Sequence, residues 1–342
     1  MRCPTLKELP PPPLKNTGWP WTEESPQIPD TMSDGSPWPK ISIVTPSLNQ
    51  GQYIEETIRS VLLQGYPDLE YIIIDGGSTD DSVKIINKYE KWMTYWSSEP
   101  DRGQSHAINK GFIRSTGKII AWLNSDDLYL QKSLNKVATY FTISRSVRSL
   151  CGNLLIVDDC SRIIDRVTFN TAISRDNLFD PMSCPQPACF WDRTILDDIG
   201  LLNEEMHYVF DMEYWIRITL RYKLYLINED LAALRHYQNT KTMMKAMEMH
   251  LEKLHMYNTL YDSYKLPMSI KRKKKNILRH INEQLGLLCL DKASFSKAAM
   301  YFMKSLLSDP FRYQNIILVL YLSYAITRLS FFLKIVKLRD RF

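Results

Sequence analysis

In the stretch Ala121-Trp122-Leu123-Asn124-Ser125-Asp126-Asp127, an apolar run that begins at Ile119 ends abruptly in an amide, a small hydroxyl residue and two adjacent carboxylates. The run reads as a buried central strand with the acids at its carboxyl edge. In open parallel sheets the ligand crevice lies outside the carboxyl ends of the strands. Two neighbouring carboxylates there repel each other and lose hydration, so a cation should offset them. A hard divalent ion carried in with a phosphate suits the position, because Mg²⁺ binds one or two carboxylates plus phosphate oxygens. The plainer reading is a helix N-cap with acids on the helix dipole.

Upstream, the chain repeats one unit. Ile41 to Thr45 is a β-branched strand that ends at Pro46-Ser47-Leu48-Asn49-Gln50-Gly51, before a helix from about Tyr53 to Gln64. Leu69 to Ile74 is a second strand, ending in Asp75-Gly76-Gly77-Ser78-Thr79-Asp80, where Ser78 or Thr79 can cap a helix running to about Lys91. Trp92 to Ser97 reads as a third strand and Gln104 to Arg114 as a helix, before the strand from Lys118 to Leu123. Strand–helix–strand repetition at this spacing predicts a parallel sheet with right-handed crossovers. Downstream the pattern loosens. A helix over Ser133 to Phe141, a hairpin of Leu150 to Val157 with Arg162 to Thr168, and a helix near Arg193 to Ile199 are expected. Another helix opens at Phe210-Asp211-Met212-Glu213-Tyr214-Trp215, and Leu224 to Leu226 is the last strand expected of this domain.

The flanks differ in composition. Residues 1–39 hold Pro10 to Pro13, Pro20, Pro26, Pro29, Pro37 and Pro39, which forbid regular structure, yet Trp19, Trp21 and Trp38 argue against a disordered tail. The expectation is an extended strap lying over the domain of residues 40–240. Residues 241–342 read as a helical extension. Within it Gly286, Ala298, Phe302 and Pro310 fall at the offsets of one tetratricopeptide unit, although Asn282 stands where an early aromatic belongs. Ile316 to Val336 is apolar but broken by Arg328 and Lys334, too short to span a bilayer and suited to a packed or surface-lying helix. Much of the +5 net charge falls in this third, around Lys271 to Lys275 and Lys334 to Arg341. Such runs are usually solvated faces; an anionic membrane surface is the sharper alternative, and no nucleic-acid motif accompanies them. The six cysteines (Cys3, Cys151, Cys160, Cys184, Cys189 and Cys289) show no metal-binding spacing, and with no apolar leader they read as reduced thiols of a cytoplasmic protein.

Three strand ends therefore converge: Thr45 to Asn49, Asp75 to Asp80 and Asn124 to Asp127. Each alone is ordinary turn chemistry; their recurrence at successive strand ends points to a nucleotide. No P-loop lysine motif and no G-x-G-x-x-G turn is present, which disfavours kinases and dehydrogenases.

The ordered motifs Pro46-Ser47-Leu48-Asn49, Asp75-Gly76-Gly77-Ser78-Thr79-Asp80, Asn109-Lys110-Gly111 and Asn124-Ser125-Asp126-Asp127 resemble those of family 2 glycosyltransferases over about residues 40–240. The resemblance implies an α/β GT-A fold, a Rossmann-like mixed sheet with helices on both faces, and inverting transfer of a sugar from a nucleoside-diphosphate sugar to a glycan or lipid-linked acceptor hydroxyl. Mn²⁺ or Mg²⁺ is the implied cofactor. By position, Thr45, Ser47, Asn49, Asp75, Arg102, Asn124 and Ser125 would line the donor pocket, and Asp126 would ligate the metal. Asn124 stands where the family's first acid usually is. Asp127 would support the ligand or cap a helix. Asp211 takes the place of the general base, with Glu213 competing for the role and Phe210 replacing the acid before it. His236 resembles the histidine of a late arginine-x-histidine segment and is a second candidate at the metal or diphosphate. Gln186 and Trp191, with Glu213, would form the acceptor side, although the 186–191 run is equally a piece of core. Polysaccharide or glycan biosynthesis on the inner membrane face is the expected setting. The alternative class is a decayed nucleotide-sugar-binding or scaffold protein, which Asn124 and Phe210 would suit.

Overall fold

The structure is a computed structural model, described here for all residues except 145, 169–185, 238–243, 309–314 and 328–342. The chain divides into two compact units, Met1–Tyr237 and Gln238–Phe342.

The first unit is built on one mixed sheet in the order β3-β2-β1-β4-β8-β6-β9-β5, with β7 paired to β6. The parallel half holds β1 (Ile41–Ser47), β2 (Leu69–Asp75), β3 (Tyr95–Ser98) and β4 (Ile119–Trp122). Strands β1 and β2 are buried along their whole length, which is why they read as continuous apolar runs rather than alternating ones. The crossovers are α1 (Ile54–Leu62), α2 (Ser82–Lys88) and α3 (Gln104–Arg114). In register, Ser47 lies beside Asp75, and Val44 lies beside Trp122, two residues before Asn124, so the three motif-bearing ends form one rim.

Helix α3 lies hard on β1. A Cβ at Gly111 would come within 2.3 Å of Val44 Cγ1, so the last residue of Asn109-Lys110-Gly111 is dictated by close approach. Beyond β4 the sheet continues through β5 (Leu128–Tyr129), α4 (Ser133–Ile143), β6 (Ser149–Val157), β7 (Ile163–Val167), β8 (Cys189–Asp192), α5 (Thr194–Ile199), α6 (Phe210–Arg221) and β9 (Leu224–Arg235). Strands β4 and β8 pair antiparallel, as do β8 and β6, while β6 and β9 run parallel. Trp122, Trp191, Phe112, Tyr214 and Trp215 meet edge to face or stacked, forming the aromatic centre beneath the β4 end.

Several expectations are corrected. The last strand runs twelve residues, not three, with register shifts where β6 passes Asn153 and β9 passes Asn228-Glu229-Asp230. Strands β5 and β8 had no separate sequence signal. Ser78 and Thr79 do not cap α2: Ser78 Oγ donates to Asp75, and the Ser82 N–H is received by Asp80 Oδ1 at 2.9 Å. The helix-cap reading of Asp126 and Asp127 also fails, because β5 follows them directly.

Residues 1–39 run as turns and extended chain with one isolated bridge, Thr31 to Pro37. Their backbone pairs with residues 63–69, through Ser25 N–H to Leu63 O (2.9 Å) and Ile28 N–H to Gly65 O (3.1 Å). Arg59, fully buried on α1, donates to the carbonyls of Pro10, Pro20 and Trp21 at 2.9–3.1 Å. Trp19 Nε1 donates to Tyr129 O at 2.8 Å.

The second unit contains α7 (Ala246–Ser263), α8 (Met268–Asp291), α9 (Phe295–Ser308) and α10 (Asn315–Thr327). Gly286 on α8 faces the Phe302 ring of α9, and Ala298 and Phe302 are fully buried. Pro310 and the end of the expected terminal helix lie outside the described residues. Among those described, no helix is long and apolar enough to cross a membrane.

Candidate functional site

The candidate site is the rim where β1, β2 and β4 end. Two of its loops are tied by Asn49, which adopts the left-handed region at φ 53°. Its N–H donates to Ser78 Oγ (2.7 Å), and its Oδ1 accepts from Thr79 N–H (2.9 Å). Asp75 is fully enclosed. It accepts from Gly77 N–H (3.1 Å), Ser78 N–H (2.8 Å), Ser78 Oγ (2.5 Å) and Ser98 Oγ (2.7 Å). Asp75 thus shapes the Gly-Gly-Ser loop. Thr45 is fully buried too, its hydroxyl 3.2 Å from Tyr71 OH. Ser47, two residues on, differs: its hydroxyl is buried with no hydrogen-bond partner among the described residues.

Asn124 to Asp127 close a turn through Asp127 N–H to Asn124 O at 3.1 Å. Thr57 on α1 clamps it by donating to the carbonyls of both Ser125 (3.0 Å) and Asp127 (2.8 Å). Asn124 Oδ1 accepts from Gln104 Nε2 (2.7 Å), and its amide donates to Asp127 Oδ2 and Gln186 Oε1, both at 3.2 Å. Gln186 in turn donates to Trp122 O at 2.7 Å. The carboxylate of Asp127 is almost wholly buried and also receives Arg235 N–H at 3.1 Å. That of Asp126 is half-buried and accepts from Tyr237 OH at 3.0 Å. Burial raises the carboxyl pKa at Asp126, against the Tyr237 bond. At Asp127 burial and then the neighbouring Asp126 charge raise it well above the ordinary value.

The structure places Tyr237 at Asp126, one residue past the expected His236. His236 is exposed, its N–H donating to Val157 O at 2.7 Å. Residues alternate faces along an extended chain, so Arg235 and Tyr237 share a side and His236 has the other. That signal was available in the sequence.

Asp211 sits half-buried in the first turn of α6, with Oδ1 accepting from Met212 N–H at 2.8 Å. The segment before α6 is fastened to α3. Asn109 Nδ2 donates to Leu202 O and Glu204 Oε1, both at 2.9 Å, and Asn109 Oδ1 accepts from Leu202 N–H at 3.0 Å. Since Gln104 opens the same helix and holds Asn124, α3 joins the two halves of the site. Arg102 is exposed and pairs with Glu204. Two acceptor-side expectations need correction. Trp191 is fully buried among Phe112, Trp122, Tyr214 and Trp215, hence core. Glu213 is buried against Arg217 at 2.8 Å, whose other nitrogens hold the carbonyls of Ile199 and Leu201, so it braces α6. Phe210 packs on Trp122, giving an aromatic at that position a structural reason. Sequence reasoning missed Gln104, Tyr237 and the buried pair Arg235–Glu56, whose Nη2 to Oε2 distance is 2.8 Å.

Residues 42–191 match the sequence model described as Glycosyl transferase family 2. An uncharacterised glycosyltransferase of Nostoc sp. is 31% identical over 132 residues, 38% of this chain and 41% of that protein. A Bacillus subtilis glycosyltransferase, TuaG, provisionally assigned to teichuronic acid biosynthesis, is 28% identical over 59% of this chain and 81% of its own. Among solved structures, Staphylococcus aureus TarS 1–349 in complex with UDP-GlcNAc superposes with a TM-score of 0.60 at 16% identity, over 84% of this chain and 87% of that one. The mannosyltransferase PcManGT of Pyrobaculum calidifontis, in complex with GDP-Man and Mn²⁺, gives 0.56 at 14% identity over 90% of both chains. These likenesses identify the fold as GT-A.

Proposed function

We propose that this chain is a family 2 glycosyltransferase that moves a sugar, with inversion, from a nucleoside-diphosphate sugar to an acceptor hydroxyl, assisted by a divalent ion. The observation that carries the reading is Asp126: a half-buried carboxylate at the carboxyl end of a central strand, beside a second buried acid. The carboxylates fit Mn²⁺ or Mg²⁺, hard ions that take one or two protein carboxylates and complete their shell with phosphate oxygens. Asp126 would hold the ion. Asp127 and Asn124 would hold Asp126 in place, since their own polar atoms are engaged by Arg235, Gln104 and each other. A bound ion supplies charge neutralisation of the leaving diphosphate.

Ser47 supports the donor reading, because a buried hydroxyl without a partner is costly and a phosphate or ribose oxygen would satisfy it. The TarS and PcManGT complexes contain nucleoside-diphosphate sugars, and the same donor class is inferred here. Asp211 is the base that takes the acceptor proton. Its rival Glu213 is committed to Arg217. A glycan or lipid-linked acceptor, as in polysaccharide assembly, accords with the teichuronic acid assignment of the Bacillus relative.

The test is calorimetric titration of UDP and GDP with and without Mn²⁺. Asp126→Ala should abolish the metal-dependent component while the protein stays folded. Unchanged metal-dependent affinity in that variant refutes the assignment, and no metal-dependent binding by the parent chain favours a scaffold.

A further inference from the structure

Arg235 lies at the carboxyl end of β9 and is almost completely buried, yet it carries a full charge. Every nitrogen of its guanidinium is used. Nε donates to Asp126 O at 3.0 Å. Nη1 donates to Asp158 O (3.1 Å), Asp159 O (3.4 Å) and Ser161 Oγ (2.9 Å), and Nη2 donates to Glu56 Oε2 (2.8 Å). The acceptors come from three separate segments: the turn after β4, the turn between β6 and β7, and helix α1. Its own N–H reaches Asp127 Oδ1. The guanidinium also stands over the Tyr53 ring at 4.6 Å, and that ring packs at 5.2 Å on Tyr237, the residue whose hydroxyl holds Asp126 Oδ2.

Such a group is a poor choice for stability alone. A buried ion pair often matches or falls short of well-packed apolar residues of similar volume, because desolvation offsets the Coulomb attraction. Its planar fork of fixed donors is suited instead to holding several acceptors in one geometry. We propose that Arg235, anchored by Glu56, is the positioning residue for Asp126: it grips the Asp126 backbone carbonyl directly and braces, through Tyr53, the tyrosine that holds the carboxylate. The inference rests on the metal-ligand reading of Asp126. Partners behind a metal ligand typically change metal affinity 10–100-fold when removed.

The test is Mn²⁺ binding followed by electron paramagnetic resonance, with UDP in one series and GDP in another, alongside thermal melting. Arg235→Lys keeps a cation against Glu56 but has no second arm for the Asp126 carbonyl. Mn²⁺ affinity should fall by about tenfold or more, with nucleotide affinity in the absence of metal unchanged. The paired variant Glu56→Gln with Arg235→Met leaves no lone buried charge, so it should fold even if Arg235→Lys does not, and the same fall is expected. Mn²⁺ affinity equal to the parent's in whichever of these folds overturns the inference, even if melting is lowered, since the residue is then structural only. If the parent chain itself takes up no Mn²⁺ with either nucleotide, the metal-ligand reading falls and this inference with it.

Discussion

Asp211 and Glu213 stand two positions apart on one helix, and their surroundings separate them. Glu213 is buried with Arg217 across one helical turn, and burial raises its pKa against that partner. Glu213→Gln should therefore lower the melting temperature and leave turnover largely intact. Asp211→Asn should leave donor binding intact and reduce turnover by roughly the 10²–10⁴-fold typical of a lost general base. The reverse pattern, read from initial rates and melts of both variants, would move the base to Glu213. A second expectation follows from the raised pKa values of Asp126 and Asp127. In that pH window the folded chain binds more protons than the unfolded one, so this pair destabilises increasingly as pH rises above the ordinary aspartate value. A divalent ion at Asp126 needs the ionised carboxylate, so binding should expel protons, and affinity should climb with pH across the same window. Calorimetry in two buffers of different ionisation enthalpy measures that release; identical apparent enthalpies in both would show Asp126 already ionised. The sequence offered Asp126 and Asp211 as candidates because adjacent acids at a strand end and acids opening a helix are local patterns. It hid Arg235 and Glu56, which lie 179 positions apart and meet only in the fold. Trp191 misled because an aromatic pair a few residues after prolines reads the same whether it lines a crevice or fills a core.

At the scale of elements, the parallel half of the sheet was legible in the kind and order of its elements, with ends displaced by about three residues at β3 and α2, since buried parallel strands and their crossover helices have readable lengths and stops. The second half was not. Strand β5 has two residues, β8 has four, and β9 carries Asn228-Glu229-Asp230 at an irregular register, a sequence that reads as loop. Pairing with β6 overrides that local preference. Helix α3 supplies the element-level prediction. Gly111→Ala should drive a methyl into Val44, displacing the helix that carries Gln104 and Asn109, at about 1–3 kcal/mol. Adding Val44→Ala should recover part of that loss, because it removes the two methyl carbons met first. Denaturant melts of the single and paired variants measure the coupling, and strict additivity would show that α3 does not rest on β1 through this contact.

At the scale of the whole molecule, composition set residues 1–39 apart, whereas the folded chain divides into two units, Met1–Tyr237 and Gln238–Phe342, with the strap inside the first. The prolines forbade elements in residues 1–39, and the tryptophans signalled a surface to cover: Trp21 lies under the Arg59 guanidinium at 5.6 Å, and Trp38 sits edge-on to Tyr66 at 6.1 Å. What composition could not announce was Arg59, a cation on the buried side of α1 whose acceptors are mostly backbone carbonyls of the strap. In the second unit, Lys271 to Lys275 begin α8, where Lys274 reaches Asp262 at 3.4 Å and stands over Tyr261, so part of the basic run is used within its own helical pair.

The strap has a consequence for the order of synthesis. Residues 1–39 leave the ribosome before Arg59, Leu63, Gly65 and Tyr129, the groups they bind. Trp19 has no partner carbonyl until Tyr129 has been made, and β5, which carries it, joins the sheet by pairing with the late strand β9. The carbonyls that Arg59 binds precede it in the chain, so they are on hand when α1 forms. The segment is in effect a tethered peptide ligand, captured by its own domain at the high effective concentration that a short tether guarantees. Proline-fixed backbone makes the capture less costly in entropy, because there is less freedom to lose.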